Sequence, residues 1–358
     1  MIKAVLSAYG LNSENYSLAP LGTGLINQTW VVNNLFHEPA FVLQRINTNV
    51  FKNPHAIAQN ISLIENYLTK NFPNYLLVAP LKTKKGELLF YAVGDGYYRL
   101  TSYVTNSHSA DVAATPRQAF EAAKQFGRFT KLLSGFNCNQ LQITLADFHN
   151  LSLRYNQFER AVANAKPGRL NQASELISFI RSQKDIAYTF ETIKNNPAFK
   201  LRTTHHDTKI SNVLFSDSDN ALCIVDLDTV MPGYFISDVG DMMRTYLSPA
   251  SEEEKDFSKI TIREDYFEAV VKGYISEMKE ILTESEKKHF VFAGKFLIYM
   301  QAIRFLTDFL NNDVYYAAQY PGHNLLRAEN QCVLLKKLIE KEVFFNSLIR
   351  DFFYPNVL

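Results

Sequence analysis

Residues 203–215 read TTHHDTKISNVLF, and this stretch decides the fold assignment. Within it, Asp207 is preceded two positions earlier by His205 and followed five positions later by Asn212. A hydroxyl group that attacks a phosphorus atom needs a carboxylate to orient it and accept its proton, which is the role predicted for Asp207. Asn212 is spaced to reach a magnesium ion that bridges nucleotide phosphates. The spacing therefore indicates the catalytic loop of a kinase.

A second acidic segment, ALCIVDLDTV at residues 221–230, follows this loop. It predicts an apolar strand over residues 222–225 that delivers Asp226 and Asp228 at its end. Alternate strand residues face the same way, so both carboxylates can converge on one cation. Magnesium takes hard oxygen ligands, commonly one or two carboxylates plus phosphate oxygens. Asp226 is the predicted principal ligand, and Asp228 a second ligand or a substrate contact. A single Asp at a turn is usually a cap or a solvated side chain, so the prediction depends on the combination.

The first hundred or so residues predict short strands interrupted once by a helix, from β-branched and aromatic residues between turn residues. The predicted strands are 18–21, 29–32, 41–46, 75–79, 88–93 and 98–104. A helix should begin after the third strand, with Asn53 as cap and Pro54 in the first helical position. Most of the remaining chain is predicted to be helical, beginning with a helix that Thr115 and Pro116 open and Gly135 stops.

This distribution indicates an α+β protein of two lobes. We expect residues 1–104 to form a nucleotide-binding lobe built on a small antiparallel sheet with one helix. Residues 105–358 should form a larger, mainly helical lobe that carries the catalytic and substrate residues. The loop between Val104 and Asp111 is the predicted hinge, because its residues are loop-forming and nothing there is periodic.

Composition excludes several classes of protein. The 37 basic and 36 acidic residues nearly cancel, so no global field favours nucleic acid or an anionic membrane. The three cysteines are far apart without a CxxC pair, which indicates a reducing compartment rather than a zinc or redox motif. The N-terminal residues lack a secretory pattern, and no apolar run reaches the ~18 residues that span a bilayer. A cytoplasmic location is the expectation, and the oligomeric state is not predicted.

The sequence resembles the aminoglycoside phosphotransferase and choline kinase superfamily, and within it the N-acetylhexosamine 1-kinase-like group. The resembling segments extend from about residue 20 to about 330: GTGLINQTW, FVLQRINTNVFKNP, DFHNLSLR, HHDTKISNVLF, VDLDTVMPG, SDVGDMMRT and IRFLTDFLN. The resemblance implies a protein-kinase-like fold, ATP and Mg²⁺ as cofactors, Asp207 as the base, and Asn212 and Asp226 on the metal.

The nucleotide-binding residues are predicted less completely. Gly22 and Gly24 lie between two strands, where glycines let backbone amides approach phosphates. The glycine pattern is incomplete, and a plain hairpin turn is the alternative. On the third strand Arg45 stands where a kinase usually has a lysine, which keeps the charge but changes the geometry. Gln59 and Glu65 are both near the expected position of its acidic partner, so that pair stays open.

Two further sets of residues have alternative interpretations. Ser102, Tyr103 and Val104 could bond adenine through their backbone groups or form an ordinary connecting strand. Asp241 and Arg244 lie three apart on one predicted helical face, where they could brace the metal strand, touch substrate or form a buried ion pair.

The acceptor is predicted from the cations Lys209, Arg244 and Arg304 in the resembling segments. They suit a neutral polar sugar or an anionic acceptor better than a polycationic aminoglycoside. Choline would require an aromatic cage, and most aromatic residues of such a chain belong to its core. The leading hypothesis is phosphorylation of the anomeric hydroxyl of an N-acetylhexosamine or related sugar. The alternatives are an aminoglycoside or choline-type phosphotransferase, or a nucleotide-binding pseudokinase, which Arg45 and the incomplete glycine loop favour.

Overall fold

The structure is a computed structural model that describes residues 2–22, 26–316 and 318–355. The chain divides into two compact units. The first unit comprises Met1–Ser109, Leu132–Ala146 and Asn212–Pro232. The second unit comprises Ala110–Lys131, Asp147–Ser211 and Gly233–Leu358. The predicted lobe boundary between residues 104 and 105 stays a prediction.

Strands and helices are distributed unevenly along the chain. In the described residues the strands are β1 (Ser17–Pro20), β2 (Gln28–Asn33), β3 (Pro39–Arg45), β4 (Phe90–Ala92), β5 (Gly96–Ser102), β6 (Arg202–Thr204), β7 (Val213–Phe215), β8 (Ala221–Ile224) and β9 (Met231–Gly233). The α-helices of the same residues are α1 (Ile2–Ala8), α2 (Pro54–Asn71), α3 (Pro116–Leu132), α4 (Leu151–Asn164), α5 (Pro167–Ser182), α6 (Asp185–Lys194), α7 (Phe235–Tyr246), α8 (Glu264–Met278), α9 (Glu284–Lys287), α10 (Phe290–Leu310), α11 (His323–Glu340) and α12 (Glu342–Phe353). The predicted α+β class is confirmed.

The first unit is built on an antiparallel sheet with the strand order β1-β2-β3-β5-β4 in the described residues. Alternation of side chains puts Leu43 and Leu100 on one face, where they are buried with Val5 and Leu6 of α1. On the opposite face, Arg99 of β5 lies across from Gln44 of β3. The sheet therefore has an apolar core face and a second face that presents polar side chains.

One predicted strand is wrong. Residues 75–79 form no strand, and the neighbouring Pro80 makes only an isolated bridge to Thr101. Pro73 and Pro80, which lack backbone N–H donors, bracket the segment, and β4 pairs with the first half of β5 instead. The other predicted strands of this sheet are present, with ends that differ by one or two residues.

Both predicted helix starts are confirmed. Helix α2 begins at Pro54, and the side chain of Asn53 accepts a hydrogen bond from the backbone N–H of Ala56 at 3.3 Å. Helix α3 begins at Pro116, and the hydroxyl of Thr115 accepts from the N–H of Gln118 at 3.2 Å. Each cap satisfies an N–H that has no partner within its helix.

Helix α2 also fixes the segment that follows the acidic strand. The fully buried Asn60 on this helix donates to the carbonyl oxygen of Val230 at 3.1 Å and to that of Gln142 at 2.8 Å. Its side-chain oxygen accepts from the N–H of Gln142 at 2.8 Å. Because an unpaired buried amide is costly, these bonds hold residue 230 against α2.

The second unit is organised around α10, which packs against α4, α5, α6, α7, α11 and α12. Its length and apolar composition would suffice to cross a membrane, but most of the helix is buried inside the unit. In the described residues it is the one helix that meets this criterion. Helix α7, which carries the predicted Asp241 and Arg244, lies directly on α10.

Candidate active site

The loop that carries the predicted base lies in the second unit and is held by α7. The carboxylate of Asp238 accepts the backbone N–H of His205 at 3.1 Å and that of His206 at 2.7 Å. His206 has a φ of 69°, a left-handed conformation that a residue with a side chain keeps only when its surroundings fix it. Asp238 therefore holds the backbone immediately before Asp207.

The residue immediately after Asp207 is fixed from the same helix. Asp241 accepts the N–H of Thr208 at 2.7 Å, and the hydroxyl of Tyr246 donates to the carbonyl oxygen of Thr208 at 2.6 Å. The hydroxyl of Thr208 donates to the carbonyl oxygen of Asp238 at 2.8 Å. We call Asp238, Asp241 and Tyr246 the loop clamp, because they fix the backbone on both sides of the predicted base.

Burial dominates the electrostatics of the clamp. It raises the pKa of Asp238 to about 7, and the N–H groups of the loop oppose that shift. Burial also raises the pKa of Asp241, while Arg244, 3.0 Å away, favours the charged form. Burial disfavours the charged form of Arg244, but Asp241 and Glu252 keep its pKa above the ordinary value. Of the alternatives for Asp241 and Arg244, the ion pair is present, and Asp241 links that arginine to the loop.

Asp207 differs from the clamp carboxylates because solvent reaches it. Its side chain is 22% exposed, against 6% for Asp241. The ammonium group of Lys209 lies 3.1 Å from its carboxylate, so these two predicted residues are brought together. A carboxylate that an incoming hydroxyl can reach suits a base, whereas a sealed one does not.

The imidazole of His206 is enclosed by aromatic side chains of the same unit. Its Nδ1 lies 3.4 Å from Nδ1 of His149, and the ring of Phe148 stacks on His149 with centroids 4.5 Å apart. Burial, followed by His206 and three nearby arginines, keeps the pKa of His149 well below its ordinary value. A Cβ atom on Gly233 would overlap the imidazole of His206 and the hydroxyl of Thr204. Position 233 is therefore restricted to glycine for reasons of space.

In the first unit, the hairpin of β7 and β8 brings the segments of Asn212 and Asp226 together. Val213 pairs with Ile224, and the N–H of Val225 donates to the carbonyl oxygen of Asn212 at 2.9 Å. The predicted side-chain alternation beyond this strand is wrong, because β8 ends at Ile224 and Asp226 has a left-handed backbone with φ 59°. The 3₁₀ helix Leu227–Thr229 follows, so this turn sets the direction of Asp228.

Asp228 lies in a buried polar cluster of the first unit that we call the arginine cluster: Asn27, Gln44, Arg99 and Asp228. The guanidinium group of Arg99 forms an ion pair with Asp228, and both side chains are almost fully buried. Asn27 donates to the same carboxylate at 2.7 Å, and Arg99 donates to Gln44 at 2.8 Å. Although burial disfavours the charged form of Arg99, Asp228 raises its pKa. Both oxygens of Asp228 are thus engaged within this unit.

Arg45 is placed apart from the arginine cluster. Its guanidinium group lies 3.0 Å from the carboxylate of Asp95, and it also donates to Gln28 at 3.1 Å. Of the two residues considered as its acidic partner, Gln59 bonds Gln142, and burial raises the pKa of Glu65. Neither forms an ion pair with Arg45; among the described residues that position belongs to Asp95.

The predicted nucleotide-binding backbone is described in part. Gly22 has a φ of 69°, and no atom of the described residues lies within 4 Å of the position of an added Cβ, which suits a close approach of phosphate to the backbone. Gly24 lies outside the described residues. The N–H of Tyr103 donates to the carbonyl oxygen of Ala40 at 3.0 Å, and the carbonyl oxygen of Val104 accepts from Ser107. Ser102 pairs with Phe41 in the sheet, so the predicted adenine-binding backbone is already partly hydrogen-bonded.

The oxygen donors of Asn212 and Asp226 suit a magnesium ion, which prefers carboxylate and carbonyl oxygens. Within the described ranges, no group of three or more His, Cys, Asp or Glu side chains is arranged to hold a metal. Magnesium usually keeps several waters and takes phosphate oxygens besides one or two carboxylates. The donor set therefore fits an ion that is completed by a nucleotide.

Three residues of the candidate site were missed by sequence reasoning. Asp238 precedes Asp241 by three positions in SDVGD, a spacing that puts both carboxylates on one helix face. Arg99 is a cation within the apolar strand segment YYRLTSY. Asn27 occupies the position where a glycine of the loop pattern was expected. The first two left a usable signal, because a charge on a buried face requires a partner.

Comparisons with known proteins bear on the family and the fold. The model of the phosphotransferase enzyme family matches residues 17–269. Among solved structures, an aminoglycoside phosphotransferase from Alicyclobacillus acidocaldarius subsp. acidocaldarius DSM 446 is 12% identical, with a TM-score of 0.62 over 94% of this chain and 95% of that chain. The amicoumacin kinase hAmiN, in complex with AMP-PNP, Ca²⁺ and Ami, is 11% identical, with a TM-score of 0.62 over 94% and 92%. A choline kinase from Cryptosporidium parvum Iowa II is 15% identical, with a TM-score of 0.54 over 97% and 98%. At these identities the likeness shows the fold.

Proposed function

Because the chain belongs to the phosphotransferase enzyme family, we propose that it transfers the terminal phosphoryl group of ATP to a small sugar. The acceptor group in this proposal is the anomeric hydroxyl of an N-acetylhexosamine or a related hexose. The fold of the structural neighbours is shared by kinases with different acceptors, so the sugar is argued from this chain's own residues. We place the reaction in the cytoplasm.

The loop clamp is the observation that carries the proposal. The buried carboxylates of Asp238 and Asp241 each accept hydrogen bonds from backbone N–H groups next to Asp207. Burying two carboxylates is costly, and here they fix the loop that carries the partly exposed carboxylate of Asp207. Such fixation suits a base that must meet a hydroxyl in one geometry, because misplacement by about 1 Å can cost ~100-fold in rate. In the proposal, Asp207 orients the acceptor hydroxyl and takes its proton.

The nucleotide side of the proposal uses residues of the first unit. Asn212 and Asp226 would hold the metal ion, which when bound neutralises phosphate charge and orients the phosphoryl group. Arg99 is a positioning residue, because it holds Asp228 through a buried ion pair. Gly22, Gly24 and Arg45 remain the proposed phosphate contacts, and backbone groups of residues 102–104 the proposed adenine contacts.

The acceptor is proposed from charge. Lys209 lies beside Asp207, and Arg244 is bound to the clamp through Asp241. Arg304, the third of the cations predicted to contact substrate, lies over the ring of Phe148 at 5.8 Å. Cations repel the polycationic acceptors of aminoglycoside-type enzymes, whereas they donate readily to sugar hydroxyl groups. A sugar therefore fits these residues better than an aminoglycoside or choline.

The test is an ADP-release assay with magnesium-ATP and a panel of N-acetylglucosamine, N-acetylgalactosamine, simple hexoses, choline and an aminoglycoside. We expect turnover with a sugar. Asp207→Asn should lower kcat by about 100-fold or more, since general-base groups contribute ~10²–10⁴. Asp217→Asn, an exposed position in the β7–β8 turn, is the matched control and should retain full activity.

Three outcomes would overturn the proposal or the role that it gives to Asp207. Turnover of choline or the aminoglycoside, with none of the sugars, would assign the chain to a different acceptor class. Stabilisation of the protein by magnesium-ATP without turnover of any acceptor would support a pseudokinase. A fully active Asp207→Asn variant would show that the base is another residue.

A further inference from the structure

A cavity of about 440 Å³ in the second unit is lined by cationic and aromatic side chains. Helix α4 supplies Arg154 and Arg160, α10 supplies Arg304, and Tyr315 and Tyr316 follow α10. The volume lies within the ~300–1,000 Å³ range that is typical of small-molecule sites. Three guanidinium groups that line one cavity make this the place in the unit to examine for a ligand.

The three arginines have no carboxylate partner among the residues that the structure describes. Arg154 donates to the side-chain oxygen of Gln157 at 3.0 Å and to the carbonyl oxygen of Asp147 at 2.9 Å. Arg304 lies over the rings of Tyr316, at 5.3 Å, and Tyr315, at 6.0 Å, without an ion pair. Arg160 is exposed and likewise unpaired in this part of the chain. Guanidinium groups stay charged at all relevant pH values, so the cavity holds uncompensated positive charge.

Asp308, the one acidic residue among the described lining residues, does not offset this charge by an ion pair. The carboxylate of Asp308 accepts the N–H groups of Tyr315, at 2.8 Å, and Tyr316, at 2.9 Å, together with the side-chain amide of Asn324. It is 3% exposed. Asp308 therefore positions the two tyrosines beside Arg304 and has its oxygens engaged elsewhere.

Three buried polar atoms on the lining residues lack a hydrogen-bond partner within the described ranges: Nε of Arg154, Oγ1 of Thr307 and the hydroxyl oxygen of Tyr316. Unsatisfied buried polar atoms are uncommon and call for a ligand, an ion or a water. Burial and the neighbouring Arg304 lower the pKa of Arg154, which reflects the same concentration of positive charge. A bound anion would relieve both conditions.

The cavity is close to the catalytic loop. Phe148 stands between them: Arg304 lies over one side of this ring at 5.8 Å, and the ring of His206 meets it at a centroid distance of 6.5 Å. His206 directly precedes Asp207. A molecule seated against Arg304 is thus one aromatic side chain away from the loop that carries the proposed base.

We propose that the acceptor is an anionic sugar, whose carboxylate or phosphate group is bound by Arg154, Arg160 and Arg304. This inference rests on the proposed function and narrows it from sugars in general to acidic ones. Guanidinium groups bind carboxylate and phosphate through paired N–H donors. Tyr315, which is 71% exposed, offers an aromatic surface for the sugar ring beside that anion site.

The test compares a neutral acceptor, N-acetylglucosamine, with two anionic ones, glucuronate and glucose 6-phosphate, using the full chain and magnesium-ATP. We expect at least one anionic sugar to have a KM about tenfold or more below that of the neutral sugar, since charge-assisted bonds are about twice as strong as neutral ones. The more effective of the two anionic sugars identifies the anionic group.

The variants are Arg304→Gln and Arg160→Gln, the second at an exposed position where folding is not at risk. Each should raise KM for the anionic sugar about tenfold, and Arg160→Gln should leave KM for the neutral sugar unchanged. Arg181→Gln, which breaks a surface pair with Glu159 on the same unit, is the matched control and should change neither KM.

Turnover, together with binding measured by calorimetry without nucleotide, distinguishes failure of the anionic acceptor from failure of the proposed function. Efficient turnover of the neutral sugar, with neither anionic sugar preferred and no effect of the variants, overturns the anionic acceptor and leaves the kinase standing. Absence of turnover with every sugar overturns the proposed function and with it the acceptor assignment. Binding of an anionic sugar that Arg304→Gln abolishes supports the cavity as the anion site.

Discussion

Replacing Asp238 by Asn tests whether the loop clamp serves the chemistry or only the fold. The carboxylate of Asp238 accepts two backbone N–H groups, from His205 and His206, and is 1% exposed. A carboxamide keeps one oxygen and turns an NH₂ group toward the other N–H. One hydrogen bond is lost and one buried donor is left without an acceptor, which costs about 1–3 kcal/mol of folding free energy.

The effect on turnover should be larger than this loss of stability suggests. With one bond gone, the left-handed backbone of His206 is no longer fixed, and Asp207 follows it directly. A shift of the base by about 1 Å lowers kcat by up to ~100-fold. We therefore expect Asp238→Asn to lower kcat by about 10- to 100-fold, with little change in KM for ATP. Both constants are measured well below the melting temperature of the variant.

The matched control is Glu286→Gln, a buried carboxylate of the same unit. Glu286 accepts from Arg202 and from the N–H of Lys200, and it has no exposed surface. Breaking this pair should cost about 3–5 kcal/mol and leave kcat intact in the folded fraction. If Asp238→Asn loses the expected stability but keeps full kcat, the clamp is a structural feature and the reasoning about the loop is refuted.

Three further predictions concern charge and metal. Arg99→Gln leaves the buried Asp228 without its cation and should lower the free energy of unfolding, measured in urea, by about 3–5 kcal/mol. The control Arg45→Gln breaks a partly exposed ion pair and should cost less than ~1 kcal/mol. Equal losses of stability in the two variants would contradict the assignment of the buried pair. Burial raises the pKa of Asp238 from 3.8 to about 7, so the folded protein holds this proton more tightly than the unfolded chain does. The stability that results is fully present below pH 3.8 and is lost as the pH rises to about 7. The urea midpoint of the parent protein should therefore decrease as the pH is raised from about 4 to about 7, whereas that of Asp238→Asn should lack this decrease. Parallel plots of urea midpoint against pH for the two proteins would be inconsistent with this titration. Removal of divalent metal with EDTA should abolish turnover without changing the far-UV circular dichroism, and Mg²⁺ should restore it; activity in metal-free buffer would argue against the roles of Asn212 and Asp226.

The sequence was most informative where the chemistry constrains neighbouring positions. Asp207, Lys209 and Asn212 belong to one short loop, so their spacing could be interpreted without knowledge of the tertiary structure. The helix caps at Asn53 and Thr115 were predictable for the same reason, because a cap bonds an N–H only two or three residues away.

Interactions between distant parts of the chain could not be predicted in this way. Arg99 and Asp228 are 129 positions apart, and no periodicity links a strand arginine to a particular later carboxylate. Arg45, chosen because it occupies the usual position of a kinase cation, turned out to pair with Asp95 in the turn before β5. The direction of Asp228 was missed because a left-handed Asp226 ends the strand alternation. These outcomes depend on tertiary packing, which overrides local pattern.

Gly233 has a consequence for directed evolution of this chain. No side chain fits there beside His206 and Thr204, so even a methyl group would push on the residue that precedes the proposed base. Saturation mutagenesis at this position should yield inactive clones that still express, and recovery of activity would have to come from shrinking His206 or Thr204. The glycine of the VMPG motif and the side chains of His206 and Thr204 therefore constrain each other. A larger residue at position 233 can be accepted only together with a smaller residue at position 204 or 206.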